Sequence, residues 1–125
     1  MQHSGILIVD DEVVIAEELS EFLTSFDYYC QTAISVDQAL DAVDKDKSIS
    51  MILTDMRMPG RDGSELIQIL QGMPDRQFEF VMISGHLDAD EDLKHINVTD
   101  VTLMRKPIDI EALMTYLEDR NFVKG

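Results

Sequence analysis

Five polar residues of complementary chemistry each lie at the end of a short apolar segment: Asp10, Asp11, Asp55, Ser84 and Lys106. Carboxylates that are crowded together repel one another, so protonation or a bound cation must relieve the repulsion. Oxygen ligands without histidine or cysteine suit a hard cation, and a site with few carboxylates and room for water suits Mg²⁺ better than Ca²⁺. The three aspartates therefore indicate a candidate magnesium site.

The same residue types also suit phosphoryl transfer. A carboxylate can attack phosphorus and form an aspartyl phosphate. A metal ion and a lysine can then neutralise the phosphoryl oxygens, while a hydroxyl donates a hydrogen bond to them. A single polar residue after a strand is usually a loop residue or a helix cap, so none of the five is diagnostic alone. Their occurrence together on one edge of a sheet would be hard to explain in that way.

These side chains need a scaffold that brings the ends of several segments together. Apolar segments predict five strands, over residues 5–9, 28–33, 51–54, 80–83 and 101–104. Helical spacing predicts five helices, over residues 14–26, 36–43, 66–73, 88–96 and 110–117. This alternation is typical of an α/β fold, in which helices cover both faces of a parallel sheet. Ligands of such sheets bind at the carboxyl ends of the strands, where the five polar residues would meet.

Some finer features of these elements also follow from the sequence. Ser35 and Asp109 precede two of the helices and are predicted to cap them. The strand at residues 28–33 is less apolar than the others, so we expect it near an edge of the sheet. The helix predicted at residues 88–96 is weak and begins in a dense run of acids.

Composition limits the class of protein. The chain has 125 residues, so we expect one domain that covers residues 1–125. Twenty-five acidic and ten basic residues give a net charge of −15, which disfavours direct binding of nucleic acid. Cys30 is the only cysteine, so a disulfide framework is excluded and a reducing compartment is favoured. No apolar run approaches the roughly 20 residues of a membrane span, and the start lacks a signal-peptide pattern, so we expect a cytoplasmic protein.

Four motifs resemble the receiver domain of bacterial two-component response regulators. They occupy residues 8–12 (Ile-Val-Asp-Asp-Glu), 53–63 (Leu-Thr-Asp-Met-Arg-Met-Pro-Gly-Arg-Asp-Gly), 82–85 (Met-Ile-Ser-Gly) and 105–107 (Arg-Lys-Pro). The spacing between them also fits the family, and the resemblance extends over essentially the whole chain. It implies a flavodoxin-like, doubly wound sheet of five parallel strands in the order 2-1-3-4-5, with five helices.

The resemblance assigns roles to the acidic residues. Asp55 corresponds to the phosphoacceptor and also contributes to the metal site. Asp11 corresponds to the direct Mg²⁺ ligand, and Asp10 to the acidic partner that often reaches the metal through water. The backbone carbonyl of Arg57 corresponds to a further metal ligand. Gly63 fits the turn that enters the third helix.

Other positions correspond to residues that hold, tune or report the phosphoryl group. Lys106 would pair with a phosphoryl oxygen, and Ser84 would bond the group and signal the switch. Arg57 and His86 follow Asp55 and Ser84 by two residues, where family side chains flank the phosphoryl group and influence its hydrolysis. Leu103 stands where many receivers carry a tyrosine or phenylalanine that swings inward on activation. We therefore expect activation to reorganise residues 84–100 instead.

The resemblance implies a signalling switch rather than an enzyme that turns over an external substrate. A sensor histidine kinase or phosphotransfer protein would donate the phosphoryl group to Asp55. The resulting change would reach the surface of the fourth helix, fifth strand and fifth helix, where an output domain, an effector protein or a second copy of the chain would bind.

Alternatives from other classes remain at this stage. A pseudo-receiver that binds partners without phosphorylation is the main alternative; Leu103 leaves room for it, and the five retained site residues argue against it. A flavodoxin-like electron carrier is disfavoured because Asp10 and Asp11 would repel the phosphate of FMN.

Overall fold

The computed structural model describes residues 5–58, 60–84, 101–106 and 108–120, with only the backbone of Ser84. Its strands are β1 (Gly5–Val9), β2 (Tyr29–Ala33), β3 (Ile49–Asp55), β4 (Glu79–Ser84) and β5 (Val101–Arg105). Its helices are α1 (Val13–Ser25), α2 (Val36–Lys45), α3 (Gly63–Gln71) and α4 (Ile110–Asp119). The helix predicted at residues 88–96 lies outside the described residues, so the described part of the chain has four helices rather than five.

The five strands form one parallel sheet in the order β2-β1-β3-β4-β5, which confirms the predicted topology. The less apolar strand β2 lies at an edge, as predicted. The order reverses at β1, because the chain moves from β1 to one side for β2 and then to the other side for β3. This reversal is the topological switch point, and the carboxyl ends of β1 and β3 meet there.

Helices cover both faces of the sheet because successive strand residues point to opposite sides. On one face the buried residues of α2 and α3 pack with Leu7, Val9 and Ile52. On the other face the buried residues of α1 and α4 pack with Ile6 and Ile8. None of the helices in the described ranges has the length and apolar content needed to cross a membrane.

Three helices begin at a capping side chain. The Ser35 hydroxyl accepts a hydrogen bond from the N–H of Gln38 at 3.1 Å, and Asp109 accepts one from Ala112 at 3.2 Å, so both predicted caps are present. Asp62 caps α3 by accepting from the N–H of Glu65 at 3.1 Å, a cap that the sequence analysis missed.

Helix α1 ends in a motif that satisfies its last carbonyls. The N–H of Asp27 donates to the carbonyl of Thr24 at 2.9 Å, and that of Tyr28 donates to Leu23 at 3.2 Å. This pair of bonds is a Schellman motif, and the buried side chains of Tyr28 and Leu23 accompany it. Asp27 has a φ of 72°, a left-handed conformation that usually favours glycine.

The apolar face predicted for α1 is partly wrong. Its buried residues are Ala16, Leu19 and Leu23, whereas Val14 is 67% exposed and Phe26 is 43% exposed. The reason is helical phase: Val14 lies two residues before Ala16, which places it on the far side of a helix with 3.6 residues per turn. Ile15, another predicted face residue, is 39% exposed.

Candidate functional site

The candidate site lies at the carboxyl ends of β1 and β3. Val9 and Thr54 pair in register, so Asp10 and Asp55 follow at neighbouring positions. The N–H of Asp10 donates to the carbonyl of Ala33 at 3.0 Å, which holds Asp10 against the end of β2 as well. Both aspartates are buried, at 5% and 6% exposure.

Asp11 completes an acidic cluster with these two residues. Asp10, Asp11 and Asp55 each offer one carboxylate oxygen, and the three oxygens lie within 4.8 Å of one another. Asp11 is exposed while the other two are buried, so the cluster opens to solvent on one side. Three oxygen donors with access to water fit the coordination that Mg²⁺ prefers.

The electrostatics of the two buried acids indicate a need for a cation. Burial raises the pKa of Asp10, although the N–H of Glu12, which donates to Asp10 Oδ1 at 2.9 Å, opposes this. Burial also raises the pKa of Asp55, and the attraction of Lys106 only partly offsets it. The nearby charge of Asp10 raises the pKa of Asp55 further. Among the residues that the structure describes, positive charge therefore compensates the ionised cluster only in part.

Lys106 reaches the cluster from the segment that follows β5. Its Nζ lies 3.2 Å from Oδ2 of Asp55, and its side chain is 31% exposed. Burial would lower the pKa of Lys106, but the attraction of Asp55, with smaller contributions from Asp10 and Glu12, raises it overall. The lysine is therefore a fixed positive charge at the acceptor carboxylate across the neutral pH range.

The loop after β3 is folded tightly around Asp55. The N–H of Met56 donates to the carbonyl of Ile83 at 2.9 Å, and the N–H of Gly63 donates to Met56 at 2.8 Å. A Cβ at position 63 would overlap the carbonyl oxygen of Asp55, so this close return of the chain requires glycine. The loop ties the acceptor to β4 on one side and to the start of α3 on the other.

Two features of this loop were not predicted from the sequence. Met56 lies in the loop after β3, yet it is 2% exposed and belongs to the core under α3. Arg61 forms a charge-assisted hydrogen bond to Glu65 and donates to Asp37 at 2.7 Å, which joins the starts of α3 and α2. An Asp-Gly pair before an apolar helical segment could have indicated the cap at Asp62. The ion pair between Arg61 and Asp37 could not be predicted, because it depends on the tertiary fold.

The remaining residues with sequence-based roles are placed as follows. Ser84 ends β4, and its backbone lies in register with Arg105, next to the strand that carries Asp55. Arg57 is exposed and follows Asp55 by two residues. Leu103 is half-buried, pairs in register with Met82 and packs on the core that α2 and α3 share. His86 and the rest of the 85–100 segment lie outside the described residues, so the expected change there stays a prediction.

A model of the response regulator receiver domain matches residues 6–118. The chain belongs to this family. The structure thus places Asp10, Asp11, Asp55 and Lys106 of a receiver domain together at one edge of its sheet.

Curated relatives agree with this membership. Sporulation initiation phosphotransferase F of Bacillus subtilis is 32% identical over 114 residues, which cover 90% of each protein. Two-component response regulator PprB of Pseudomonas aeruginosa is 28% identical over 119 residues, which are 94% of this receiver and 43% of PprB. The receiver therefore spans less than half of PprB, and it spans 25% of the DNA-binding transcriptional regulator NtrC of Klebsiella pneumoniae.

Solved structures share the fold. A response regulator receiver protein from Pseudomonas putida superposes with a TM-score of 0.85 at 26% identity. The match covers 95% of this receiver and 98% of that chain. The sheet order and the two helical layers described above are thus those of known receivers.

Proposed function

We propose that this receiver domain, covering residues 1–125, is a phosphorylatable switch whose acceptor is Asp55. The observation that carries the proposal is the surroundings of that carboxylate. It is buried, it lies within 4.8 Å of oxygens from Asp10 and Asp11, and it contacts Nζ of Lys106 at 3.2 Å. An acceptor needs a nucleophilic oxygen and positive charge for the incoming phosphoryl group, and this arrangement supplies the oxygen, the lysine and a set of metal ligands.

The residues would act in the following way. An oxygen of Asp55 would bond to phosphorus as the bond between phosphorus and the histidine nitrogen of the donor protein breaks. Mg²⁺, held by Asp10, Asp11, Asp55 and the backbone carbonyl of Arg57, would neutralise charge on the phosphoryl oxygens. Lys106 already pairs with Asp55 and would transfer its ion pair to a phosphoryl oxygen.

Further positions would hold or tune the product. Ser84 ends the strand beside β3, where its hydroxyl would bond the phosphoryl group and report the change. The side chains of Arg57 and His86 would flank the group and set its lifetime. Leu103 would occupy the usual aromatic switch position, so the change would pass through residues 84–100.

The partners follow from the same proposal. A sensor histidine kinase or a phosphotransfer protein would be the donor, and the similarity to a sporulation phosphotransferase and to the sensor histidine kinase RcsC of Salmonella typhi supports this class. An output domain or effector protein would receive the signal, and a second copy of the chain would bind through the helix predicted at residues 88–96 together with β5 and α4. The net charge of −15 argues against direct nucleic-acid binding by this domain, and a cytoplasmic location fits a kinase-linked switch.

The proposal is tested by chemical phosphorylation. Purified protein is treated with acetyl phosphate and Mg²⁺, and intact-mass measurement should show one added phosphoryl group. Asp55→Asn should abolish the addition. Asp62→Asn is the matched control, because asparagine also caps a helix and Asp62 lies in the same loop.

The outcomes separate the two candidate functions. Equal modification of Asp55→Asn would remove Asp55 as the acceptor. An unmodified wild type that still binds Mg²⁺ would favour the pseudo-receiver, which acts by binding alone.

A further inference from the structure

A cavity of about 660 Å³ lies on the α1 side of the sheet and borders the candidate phosphorylation site at Asp10 and Lys106. Its floor includes Leu53 and Ile83 of the sheet, and one wall is formed by Ile15, Leu19 and Phe22 of α1. Ile15 is 39% exposed although it faces this cavity, because the cavity is open to solvent. The volume is in the range of pockets that hold small organic molecules.

The polar groups of the cavity are few and mainly acidic. Ile108 and Ile110 form the opposite wall, and Asp10 and Lys106 line one end. Glu18 projects from α1 into the lining as well. Among the described lining residues, Lys106 is paired with Asp55, so the charged groups that face a ligand without a lysine partner are the carboxylates of Glu18 and of Asp10, which also belongs to the candidate metal site.

We infer that this cavity binds a small apolar molecule that carries a protonated amine. The apolar body lies between α1 and the segment at residues 108–110, and the ammonium group is attracted by Asp10 and Glu18. The net charge of −15 adds a long-range preference for a cationic head over an anionic one. A site of predominantly apolar walls with a few polar groups that fix orientation has the usual anatomy of a small-molecule pocket.

The test compares three probes that share one apolar chain: hexylamine, hexanol and hexanoate. Binding is followed by NMR shifts of the isoleucine methyl groups, in EDTA, because Asp10 also belongs to the candidate metal site. Failure of amine binding is then independent of whether Asp55 is phosphorylated. We expect hexylamine to bind with a Kd on the order of 1 mM, hexanol more weakly, and hexanoate at least about tenfold more weakly.

Paired variants locate the site. Ile15→Trp fills the cavity and should weaken hexylamine binding by about tenfold, whereas Val14→Trp, at the neighbouring exposed position outside the lining, should leave it unchanged. Glu18→Gln should weaken binding by about threefold, and Glu17→Gln is its control outside the lining. The glutamate variants change only exposed side chains, so they keep the test decisive if Ile15→Trp folds poorly.

Several results would overturn the inference. Hexanoate binding as tightly as hexylamine would refute the assigned chemistry, and absence of binding by all three probes would refute the site. Self-association that Ile15→Trp abolishes and Val14→Trp retains would show that a second copy of the chain covers the cavity instead.

Discussion

The ammonium nitrogen of Lys106 lies 3.2 Å from a carboxylate oxygen of Asp55, although the two residues are at the ends of strands that are not neighbours in the sheet. Asp55 ends β3, and Lys106 follows β5, with β4 between them. The ion pair therefore spans the carboxyl end of β4. The side chain of Asp55 is only 8% exposed, so solvent screens its charge far less than it would screen the charges of a surface pair.

The pKa of Asp55 predicts how stability depends on pH. Burial raises this pKa above the ordinary value of 3.8, with Lys106 opposing the change. A carboxyl whose pKa is higher in the folded state binds protons more readily there, so the free energy of unfolding falls as pH rises from the unfolded pKa through the folded pKa. Asp55→Asn, which resembles the neutral form, should be more stable than the wild type at neutral pH without metal, and the difference should vanish once the pH falls below the ordinary carboxyl pKa.

Urea denaturation at a series of pH values measures this difference. Asp62→Asn serves as the control, because it removes one carboxylate from the same loop while asparagine can still cap α3. A wild type that is more stable than Asp55→Asn at neutral pH would mean that Lys106 fully compensates the buried charge.

Metal binding should stabilise the fold. If Asp10, Asp11 and Asp55 hold Mg²⁺ only in the folded state, the ion adds about 2.7 kcal/mol at a concentration about 100 times its Kd. Asp11→Asn should reduce the rise in Tm, because Asp11 contributes one of the three clustered oxygens. Thermal melts with and without Mg²⁺ measure the rise in Tm, and Glu17→Gln, at an exposed position, is the charge-matched control. Equal Tm values for the wild type with and without Mg²⁺ would contradict the metal site.

Any side chain at position 63 should destabilise the fold. A Cβ there would overlap the carbonyl of Asp55, so we expect Gly63→Ala to cost about 1–3 kcal/mol and to displace the acceptor. Gly72→Ala is the control, since its Cβ would lie 3.4 Å from the nearest atom and its φ of −81° suits alanine. Denaturation measures both variants, and similar stabilities would show that the loop after β3 can shift at little cost.

Asp27 offers a stabilising substitution. Its φ of 72° strains a residue that has a Cβ, whereas glycine adopts this conformation freely. We expect Asp27→Gly to raise the free energy of unfolding by up to about 1 kcal/mol, because relief of the strain exceeds the added entropy of the unfolded chain. Glycine introduced at exposed Glu21, inside α1, should instead destabilise by roughly the same amount.

The sheet and most of the acidic site were predictable from the sequence for a physical reason. Strands of a parallel sheet are buried on both faces, so β1 and most of β3 are apolar, and the polar residues Asp10 and Asp55 mark where they end. The phase of α1 was harder, because Val14 and Ile15 are apolar yet exposed. The sequence of a helix with several apolar residues does not by itself fix which of them face the sheet, because packing against the rest of the fold decides it.

Features that depend on tertiary contacts could not be predicted. Met56 is buried only because the chain turns back at Gly63 and brings α3 over it. The cavity beside α1 depends on the distance between α1 and residues 108–110, which no local pattern encodes. The strand ends predicted that Lys106 and Asp55 converge on one edge of the sheet, whereas the effect of their contact on both pKa values required the geometry.

The strand order has a consequence for how the chain folds during synthesis. The N-terminal end of the chain leaves the ribosome first, and β1 can pair with β2 as soon as Ala33 has emerged. The acidic cluster cannot assemble until Asp55 has emerged and β3 has inserted beside β1. Lys106 follows the last strand, so a nascent chain that pairs β1 with β3 before β5 has emerged would gather the aspartates without their lysine. At that stage a divalent cation would be the main counter-charge, and cellular magnesium would then act as a folding factor before it serves any signalling role.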